Sequence, residues 1–290
     1  MRLRVNSQRG AEGCTLMDKP HPSRKQNRPF QRLIFAAFSC LLASAPALSA
    51  ITLSQGEALR IGKKIWQNEC KGTISGLTSW NAGEDFASLG IGHFIWYPEG
   101  KRGPFEESFP KLVAFMSARG AKLPNLLVGG ADLHCPWNSR AEFLHAQQTA
   151  EMKQLRQFLA DTVDLQAQFL VDRLQHALPK MLDEAAPSNR ARVQQQFERV
   201  AGSAQGSYAL VDYVNFKGEG VLHTERYHDQ GWGLLQVLEE MRPANADPPT
   251  EFARAAKGVL TRRVHNSPPE RNESRWLPGW INRVNSYSRN

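Results

Sequence analysis

The sequence predicts an α+β fold that is mostly α-helical, with a small β-hairpin lobe near the N-terminus of the folded part. Three observations lead to this fold class. Hydrophobic residues make up 41% of 290 residues, which is enough to build a core. Apolar residues at helical spacing recur between Ser54 and Arg263, often behind capping residues. Residues 72–100 are instead rich in glycine, threonine and aromatic residues, which is typical of short strands.

Residues 1–50 have the features of a leader and signal peptide. Eight basic and only two acidic residues lie in this segment, and residues 33–50 form an uncharged apolar run that ends in small residues. This order is that of a secretory signal, and we expect cleavage near residues 47–50. An uncleaved inner-membrane anchor is the alternative, since 18 residues can just span a bilayer. The remaining residues, 51–290, then form a single periplasmic or secreted domain.

The basic charge of the chain lies mainly in this leader. The whole sequence has a formal charge of +8, of which +6 belongs to residues 1–50. Residues 51–290 carry 28 basic and 26 acidic groups. We therefore predict no nucleic-acid surface, and membrane contact only through the leader if it is not cleaved.

Cysteine usage agrees with export. Cys14 and Cys40 lie in the leader, so Cys70 and Cys135 are the cysteines of the exported part. In an oxidising compartment two cysteines suggest one disulfide, the alternative being two buried thiols. The cysteine and histidine spacing does not indicate zinc, and we expect neither a metal nor a cofactor.

Capping residues and glycines predict where the first helix and the hairpin lobe begin and end. Ser54 and Glu57 form a capping box before an apolar stripe, which predicts a helix that ends near residues 69–71 before Gly72. The hairpin lobe at residues 72–100 follows. A further helix is expected at Pro110–Arg119, and then an irregular segment.

The rest of the chain is predicted to be helical. Ser139 and Glu142 form a second capping pattern, and residues 139–184 are long enough for two or three helices. Further helical patterns lie at residues 190–202, 207–216, 231–241 and 251–263. The final segment, residues 276–287, is short and contains several aromatic residues. The sequence shows no internal repeat.

Glu69 is the first candidate catalytic residue. It falls at the end of a predicted helix, where the helix dipole disfavours a negative charge. Trp66, one turn earlier, would partly desolvate it. Both effects raise the pKa of a carboxyl group, which suits a general acid near neutral pH. The alternative is a solvated glutamate at a helix end.

The segment after Glu69 resembles the phage-type lysozymes. The run Ser-Leu-Gly-Ile-Gly-His at residues 88–93 matches that family's Thr-Ile-Gly-Ile-Gly-His, with Ser for Thr and Leu for Ile. The resemblance implies a lysozyme-like fold and cleavage of a glycosidic bond, with Glu69 as the acid, although the interval to the matched run is a few residues longer here. The family's aspartate has no clean counterpart. Asn81, Glu84 and Asp85 lie near its place, and we favour Glu84 as base or electrostatic partner.

Other residues of this segment are candidates for binding the sugar or the attacking water. The resemblance implies that Ser88 orients water, and Asn81 lies beside the expected cleft. Aromatic side chains can stack on sugar faces or pack in the core, and both alternatives apply to Trp80, Trp96 and Tyr97. His93 belongs to the candidate substrate-binding set, but a hydrogen bond at the base of the hairpin is the favoured role.

A second segment is similar to lytic transglycosylases and goose-type lysozymes. In that pattern a catalytic Glu ends a helix, and Gly-Leu-Met-Gln follows about 14 residues later. Glu219 is followed at that interval by Gly-Leu-Leu-Gln, which ends at Gln236, but Gly220 stands where a serine is expected. Glu219 is thus a rival acid or a cleft-wall carboxylate facing Glu69, and Tyr227 and Gln236 become candidate substrate contacts. The alternative is a polar turn between two helices.

These patterns together predict an exported, monomeric peptidoglycan hydrolase whose general acid is Glu69. One alternative is a lytic transglycosylase that uses a single Glu, and another is a non-catalytic glycan-binding envelope protein. A hydrolase of chitin or chitosan is a third, and its cleft should carry more acids to match a cationic polymer. Whether Glu69 faces a cleft or is locked in a salt bridge discriminates between enzyme and binding protein.

Overall fold

A computed structural model describes residues 53–103, 105–130, 133–242 and 246–288, so the predicted leader lies outside the described residues. The helices within these ranges are α1 Gln55–Cys70, α2 Phe109–Ala118, α3 Arg140–His145, α4 Ala150–Asp161, α5 Val163–Glu184, α6 Arg190–Ala201, α7 Ala204–Lys217, α8 Leu234–Glu240, α9 Pro248–Asn266 and α10 Leu277–Asn285.

Two small antiparallel sheets accompany the helices. The first has the order β1-β2-β3, formed by Thr78–Ser79, Ala87–Leu89 and Phe94–Trp96, and pairs Ser88 with Ser79 on one side and Ile95 on the other. The second pairs β4 Arg226–Tyr227 with β5 Gln230–Gly231 and was not expected from the sequence. The predicted mostly helical α+β class is confirmed.

The capping box predicted for α1 is present. Ser54 accepts a hydrogen bond from the Glu57 backbone, and the Glu57 carboxylate accepts one from the Ser54 backbone N–H. The helix ends at Cys70, because Lys71 adopts a left-handed conformation with φ 54° and its N–H bonds back to the Trp66 carbonyl. Glu69 therefore lies in the last turn of α1, as predicted.

The long helix α5 runs through the core and packs against α1, α2, α6 and α7. Leu170, Leu174 and Leu178 are buried, as their four-residue spacing predicted. α1 approaches α5 so closely at Gly62 that a Cβ there would lie 2.6 Å from the Cβ of Ala167. This close approach fixes the depth at which the C-terminal turn of α1, and with it Glu69, lies in the fold.

The predicted disulfide between Cys70 and Cys135 is wrong, because both residues are free and buried. Each packs against a different part of the lobe. The Cys70 Sγ lies 3.5 Å from the Gly90 carbonyl oxygen, whereas the Cys135 N–H donates to the Tyr97 carbonyl after β3. The two-thiol alternative holds, and burial raises the pKa of each thiol to about 12.

No helix in the part of the chain that the structure describes has the length and hydropathy needed to cross a bilayer.

We predict that a protein comprising residues 51–290, unfolded without a reductant, will react with two equivalents of a thiol reagent. The folded protein will react far more slowly, because a thiol with a raised pKa provides little thiolate at neutral pH. Ellman titration with and without denaturant measures this. A Cys135→Ser variant should react with one equivalent of the reagent when unfolded. If the unfolded parent protein reacts with fewer than one equivalent, the two cysteines form a disulfide after all.

Candidate functional site

The glycines of the turn at residues 90–93 are required by its geometry. Gly90 has φ 72° and donates its N–H to the Leu77 carbonyl at 2.8 Å. A Cβ at Gly92 would lie 2.8 Å from the Asn215 Oδ1 and 2.9 Å from the Phe94 ring. Only residues without a side chain allow the turn to approach α7 this closely. The turn places His93 beside the end of α1.

Gln166 fixes this turn to α5. Its fully buried amide accepts a hydrogen bond from the Ile91 N–H at 2.9 Å and donates to the Leu159 carbonyl and the Thr162 hydroxyl. Because the oxygen and the NH₂ group are both engaged, the side chain has one well-defined orientation. The turn is thus held rigidly against the helical part of the molecule.

Glu69 has a defined partner on each carboxylate oxygen. Its Oε1 accepts hydrogen bonds from the Arg283 Nη2 at 2.7 Å and from the Asn215 Nδ2 at 3.3 Å. Its Oε2 lies 3.7 Å from the His93 Nδ1, and the side chain keeps 17% of its surface exposed. Glu69 is therefore largely enclosed by three side chains, which come from the turn, α7 and α10.

Arg283 is itself held by a second carboxylate. Its Nε and Nη2 each donate to Asp212 at 2.8 Å, and the Tyr287 hydroxyl donates to the same carboxylate at 2.6 Å. Burial lowers the pKa of Arg283, but Asp212 and Glu69 outweigh it and raise this pKa well above its usual value. The Arg283 network, which comprises Glu69, Asp212 and Arg283, thus has one permanent cation and two carboxyl groups. With both carboxyl groups ionised it carries one excess negative charge.

His93 is oriented by its other ring nitrogen. Its Nε2 lies 3.3 Å from the Gly76 carbonyl oxygen. Since a carbonyl only accepts, this hydrogen bond assigns the proton to Nε2, and a neutral ring then presents a bare Nδ1 to the Glu69 Oε2. The Glu69 Oε2 and the His93 Nδ1 thus face each other at 3.7 Å, with the ring oriented by the Gly76 carbonyl.

Glu84 and Ser88 occupy different environments in the lobe. Burial raises the pKa of Glu84, while the Asn81 amide, 3.1 Å from its Oε2, and the charge of His93 act against this rise. Ser88 lies buried in the middle strand of the sheet and is not among the groove-lining residues described below. The structure therefore places Glu84 within electrostatic reach of His93, but gives the Ser88 hydroxyl no open position from which to orient water.

The three aromatic residues proposed to stack on sugars are all buried. Trp96 is fully buried and donates its Nε1 to the Leu133 carbonyl. Trp80 donates to the Glu84 carbonyl, and Tyr97 packs edge-on against Phe86. The core-packing alternative describes all three, so their assignment as substrate-binding residues is corrected.

The second predicted segment forms a tight junction between α7 and α8. The backbone N–H groups of Leu234 and Leu235 donate to the carbonyls of Gly218 and Glu219. Gln236 accepts from the Gly233 N–H and donates to the Gly220 carbonyl, so it closes the start of α8 and is committed to the backbone. The Tyr227 hydroxyl is likewise engaged, by the buried Glu273 at 2.9 Å. Both side chains are thus engaged within the fold, and the assignment of Gln236 and Tyr227 as substrate contacts is corrected.

A groove of about 450 Å³ lies between the turn and this junction. Gly92, His93 and residues 214–222 belong to its lining. Glu219 belongs to this lining, and its carboxylate pairs with the Lys180 ammonium at 2.8 Å and 3.1 Å. Glu69 itself is not among the lining residues, but it contacts His93 and Asn215, which are. It is paired with Arg283, so the expected position of Glu69 on the face of a cleft is not observed.

Lys217 is an unusual member of this wall. Its Nζ lies 3.4 Å from the centre of the Trp280 ring and 4.0 Å from that of Phe216. Burial is the main reason why its pKa falls well below the usual value of 10.5, and the charges of Arg263 and Arg283 lower it further, against weaker effects of Glu273 and Glu69. The side chain has no hydrogen bond or ion pair with any described residue.

Several residues that build this site could not be found from the sequence. Asp212, Asn215 and Arg283 lie on α7 and α10, far from the motif at residues 88–93, and nothing in their local pattern distinguishes them from other helix residues. Lys217 is likewise a single cation within a helical pattern. The packing of α1 and α5 against α7, and the hydrogen bonds that Arg283 makes from α10, bring the site together.

Comparisons of the chain with protein-family models, with curated proteins and with solved structures gave no match. Among the described residues, no group of three or more His, Cys, Asp or Glu side chains is arranged to hold a metal ion.

We predict that Asp212→Asn will lower the free energy of unfolding by about 3 kcal/mol, because it leaves the buried Arg283 with only Glu69 as counter-ion. Urea unfolding at neutral pH measures this loss. Asp85→Asn, at an exposed position of the lobe, is the control and should cost little. Equal losses for the two variants would show that Glu69 alone compensates Arg283.

We also predict that Lys217→Met will raise the free energy of unfolding at pH 7. The native protein disfavours the charged lysine, whereas the unfolded chain protonates it freely, so the wild type carries a penalty that methionine removes. The native pKa lies below 10.5, so the penalty shrinks as pH rises toward 10.5. Denaturant unfolding of both proteins at pH 7 and pH 10 tests this, with the exposed Lys153→Met as control. A destabilised Lys217→Met variant at pH 7, or a difference independent of pH, would contradict the prediction.

Proposed function

We propose that this protein is an exported glycoside hydrolase that cleaves the glycan strands of peptidoglycan, with Glu69 as general acid. The observation that supports this proposal best is the position of the Glu69 carboxylate, whose Oε2 lies 3.7 Å from His93, a residue of the groove lining. A proton held at that position is what the departing sugar oxygen needs when a glycosidic bond breaks.

The Arg283 network favours release of that proton. As Glu69 donates from Oε2, negative charge develops on a carboxylate whose Oε1 already accepts from Arg283 and Asn215. These fixed donors stabilise the product form of the acid without rearrangement. Asp212 accepts from the same guanidinium, so Arg283 is shared between two carboxyl groups.

Glu84 is the proposed second carboxyl group. It lies within electrostatic reach of His93, and burial raises its pKa, so it can accept a proton from an attacking water near neutral pH. This role gives hydrolysis. If Glu84 does not face the substrate, a hydroxyl of the sugar itself replaces the water, and the protein is a lytic transglycosylase.

Both candidate acids are paired with a cation, Glu69 with Arg283 and Glu219 with Lys180, so the neighbouring His93 is what favours Glu69 as the acid. Both carboxylate oxygens of Glu219 accept hydrogen bonds from the Lys180 ammonium. Among the described residues, no histidine forms a hydrogen bond or ion pair with Glu219, whereas His93 lies 3.7 Å from Glu69. The place of Glu219 on the groove wall instead suits contact with polar groups of the sugar.

A non-catalytic glycan-binding protein is the second candidate, and one observation favours it. The contact of 2.7 Å between Glu69 and Arg283 joins two side chains that are only 17% and 12% exposed, as expected for a structural ion pair. In this alternative the groove binds the strand, and Glu69 only holds α10 in place.

We predict that the wild type will release soluble fragments from purified peptidoglycan and that Glu69→Gln will reduce the rate by at least about 100-fold. Glutamine keeps an acceptor for Arg283 but has no proton to give. Mass spectrometry of the fragments distinguishes reducing ends from anhydro ends, and hence hydrolysis from transglycosylation.

Two further variants complete this experiment. Glu99→Gln, at an exposed position in the turn after β3, should retain full activity. Glu219→Gln should weaken the reaction less than Glu69→Gln. An inactive Glu219→Gln beside an active Glu69→Gln would reassign the acid, and sedimentation of the wild type with peptidoglycan without any fragment would favour the binding protein.

A further inference from the structure

The groove is too small to enclose a long polymer strand. Its volume of about 450 Å³ is that of a site for a drug-sized ligand. A glycan strand that binds there must therefore leave the groove over its rim and cross the surface beyond it. Further contacts with the strand are to be sought on the surface that adjoins the lining residues.

Aromatic side chains continue from the groove onto α10. Phe216 belongs to the lining of the groove. The Trp280 ring packs edge-on against it, with 6.4 Å between the ring centres. Trp276, the N-cap residue of α10, comes next, with 6.1 Å between its ring centre and that of Trp280. The aromatic row, which comprises Phe216, Trp280 and Trp276, thus leads from the groove to the start of α10.

Cations hold the middle ring of the aromatic row in place. The Lys217 Nζ lies 3.4 Å from the centre of the Trp280 ring. The Arg263 Cζ lies 5.0 Å from the same centre and 4.0 Å from that of Trp232, another residue of the groove lining. Arg263 is itself fixed, because its Nε and Nη2 donate to the buried Glu273 at 2.8 Å and 2.9 Å. Trp280 is therefore a fixed, half-buried support for the ring beyond it.

Trp276 ends the aromatic row as an exposed ring. It keeps 41% of its surface exposed, which is a large apolar area for a soluble protein to leave in water. The Arg275 Cζ lies 4.4 Å from the ring centre, but the arginine side chain is exposed as well. A cation–π contact between exposed groups is weak, so a ligand that covers the ring can displace the arginine.

The indole N–H groups of the aromatic row are available to a ligand. Those of Trp66, Trp80 and Trp96 are used within the fold, since each donates to a backbone carbonyl. The N–H groups of Trp276 and Trp280, by contrast, donate to no described residue. A ring with an apolar face and an unused donor at its edge matches a sugar, which has C–H groups on its faces and hydroxyl groups around its rim.

We infer that the glycan strand leaves the groove along the aromatic row, with Trp276 stacking on a sugar ring outside the groove. This inference rests on the proposed function for the nature of the ligand. It narrows the substrate to strands long enough to occupy the groove and reach α10 together. An exposed tryptophan also suits a membrane surface, but the continuity of the aromatic row with the groove favours the strand.

Calorimetric titration of the full chain, carrying Glu69→Gln to prevent turnover, tests the inference with peptidoglycan disaccharide, tetrasaccharide and octasaccharide. Trp276→Ala should weaken binding of the octasaccharide at least about fivefold, and its effect should disappear for the shortest oligosaccharide that binds. Leu144→Ala, at a similarly exposed position on α3, is the matched control and should bind every probe as the parent does.

Trp276→Phe provides a second variant and a second readout. It keeps a ring, so it should weaken octasaccharide binding less than Trp276→Ala does. The octasaccharide should change the tryptophan fluorescence of the parent protein, and Trp276→Phe should lose part of this change. A tryptophan that only stabilises α10 would affect thermal unfolding but would show neither the dependence on strand length nor the fluorescence difference.

The inference is overturned if Trp276→Ala binds the octasaccharide as tightly as the parent, if its loss is equal for every probe, or if no probe binds. Cosedimentation with phosphatidylglycerol vesicles tests the membrane alternative. If Trp276→Ala loses binding to vesicles but not to the octasaccharide, the ring belongs to a membrane contact and the inference is wrong.

The outcome is separable from that of the proposed function. Cleavage of peptidoglycan by the wild type, without any effect of Trp276→Ala on octasaccharide binding, overturns this inference alone. Binding that depends on strand length and on Trp276, without cleavage by the wild type, overturns the hydrolase proposal alone.

Discussion

The ion-pair network around Arg283 is the interaction on which the rest of the site depends. One guanidinium joins Asp212 on α7 to Glu69 on α1, and it does so from α10, near the end of the chain. Three helices that are distant in sequence thereby share one polar contact at the edge of the core. Such a contact costs desolvation energy, which is recovered only when the geometry is complete. The position of the Glu69 carboxylate is therefore a property of the whole fold.

Local sequence signals predicted the elements well, because they act over a few residues. The capping box at Ser54 and the glycines at residues 90 and 92 determine backbone conformation directly, and the structure shows the helix and the turn where they were expected. The position of Glu69 in the last turn of α1 follows from the same signals. The β4–β5 pair was not predicted, since its four residues have no alternating pattern that would distinguish them from a loop.

Long-range relations could not be predicted in the same way. The sequence does not show whether Trp96 faces a sugar or the core, because both environments accept an aromatic ring, and the structure buries it completely. The disulfide between Cys70 and Cys135 was predicted only because two cysteines were expected in an oxidising compartment. In the structure each of them packs against a different backbone segment. Arg283 could not be identified as a site residue from the sequence, because its partners lie 71 and 214 positions away.

The distance in sequence between Glu69 and Arg283 also orders the events of assembly. A polypeptide that enters a secretion channel N-terminus first delivers the glutamate 214 positions before the arginine. If residues 1–50 direct export as their pattern indicates, the environment of the Glu69 carboxylate would be completed only when α10 has reached the same side of the membrane.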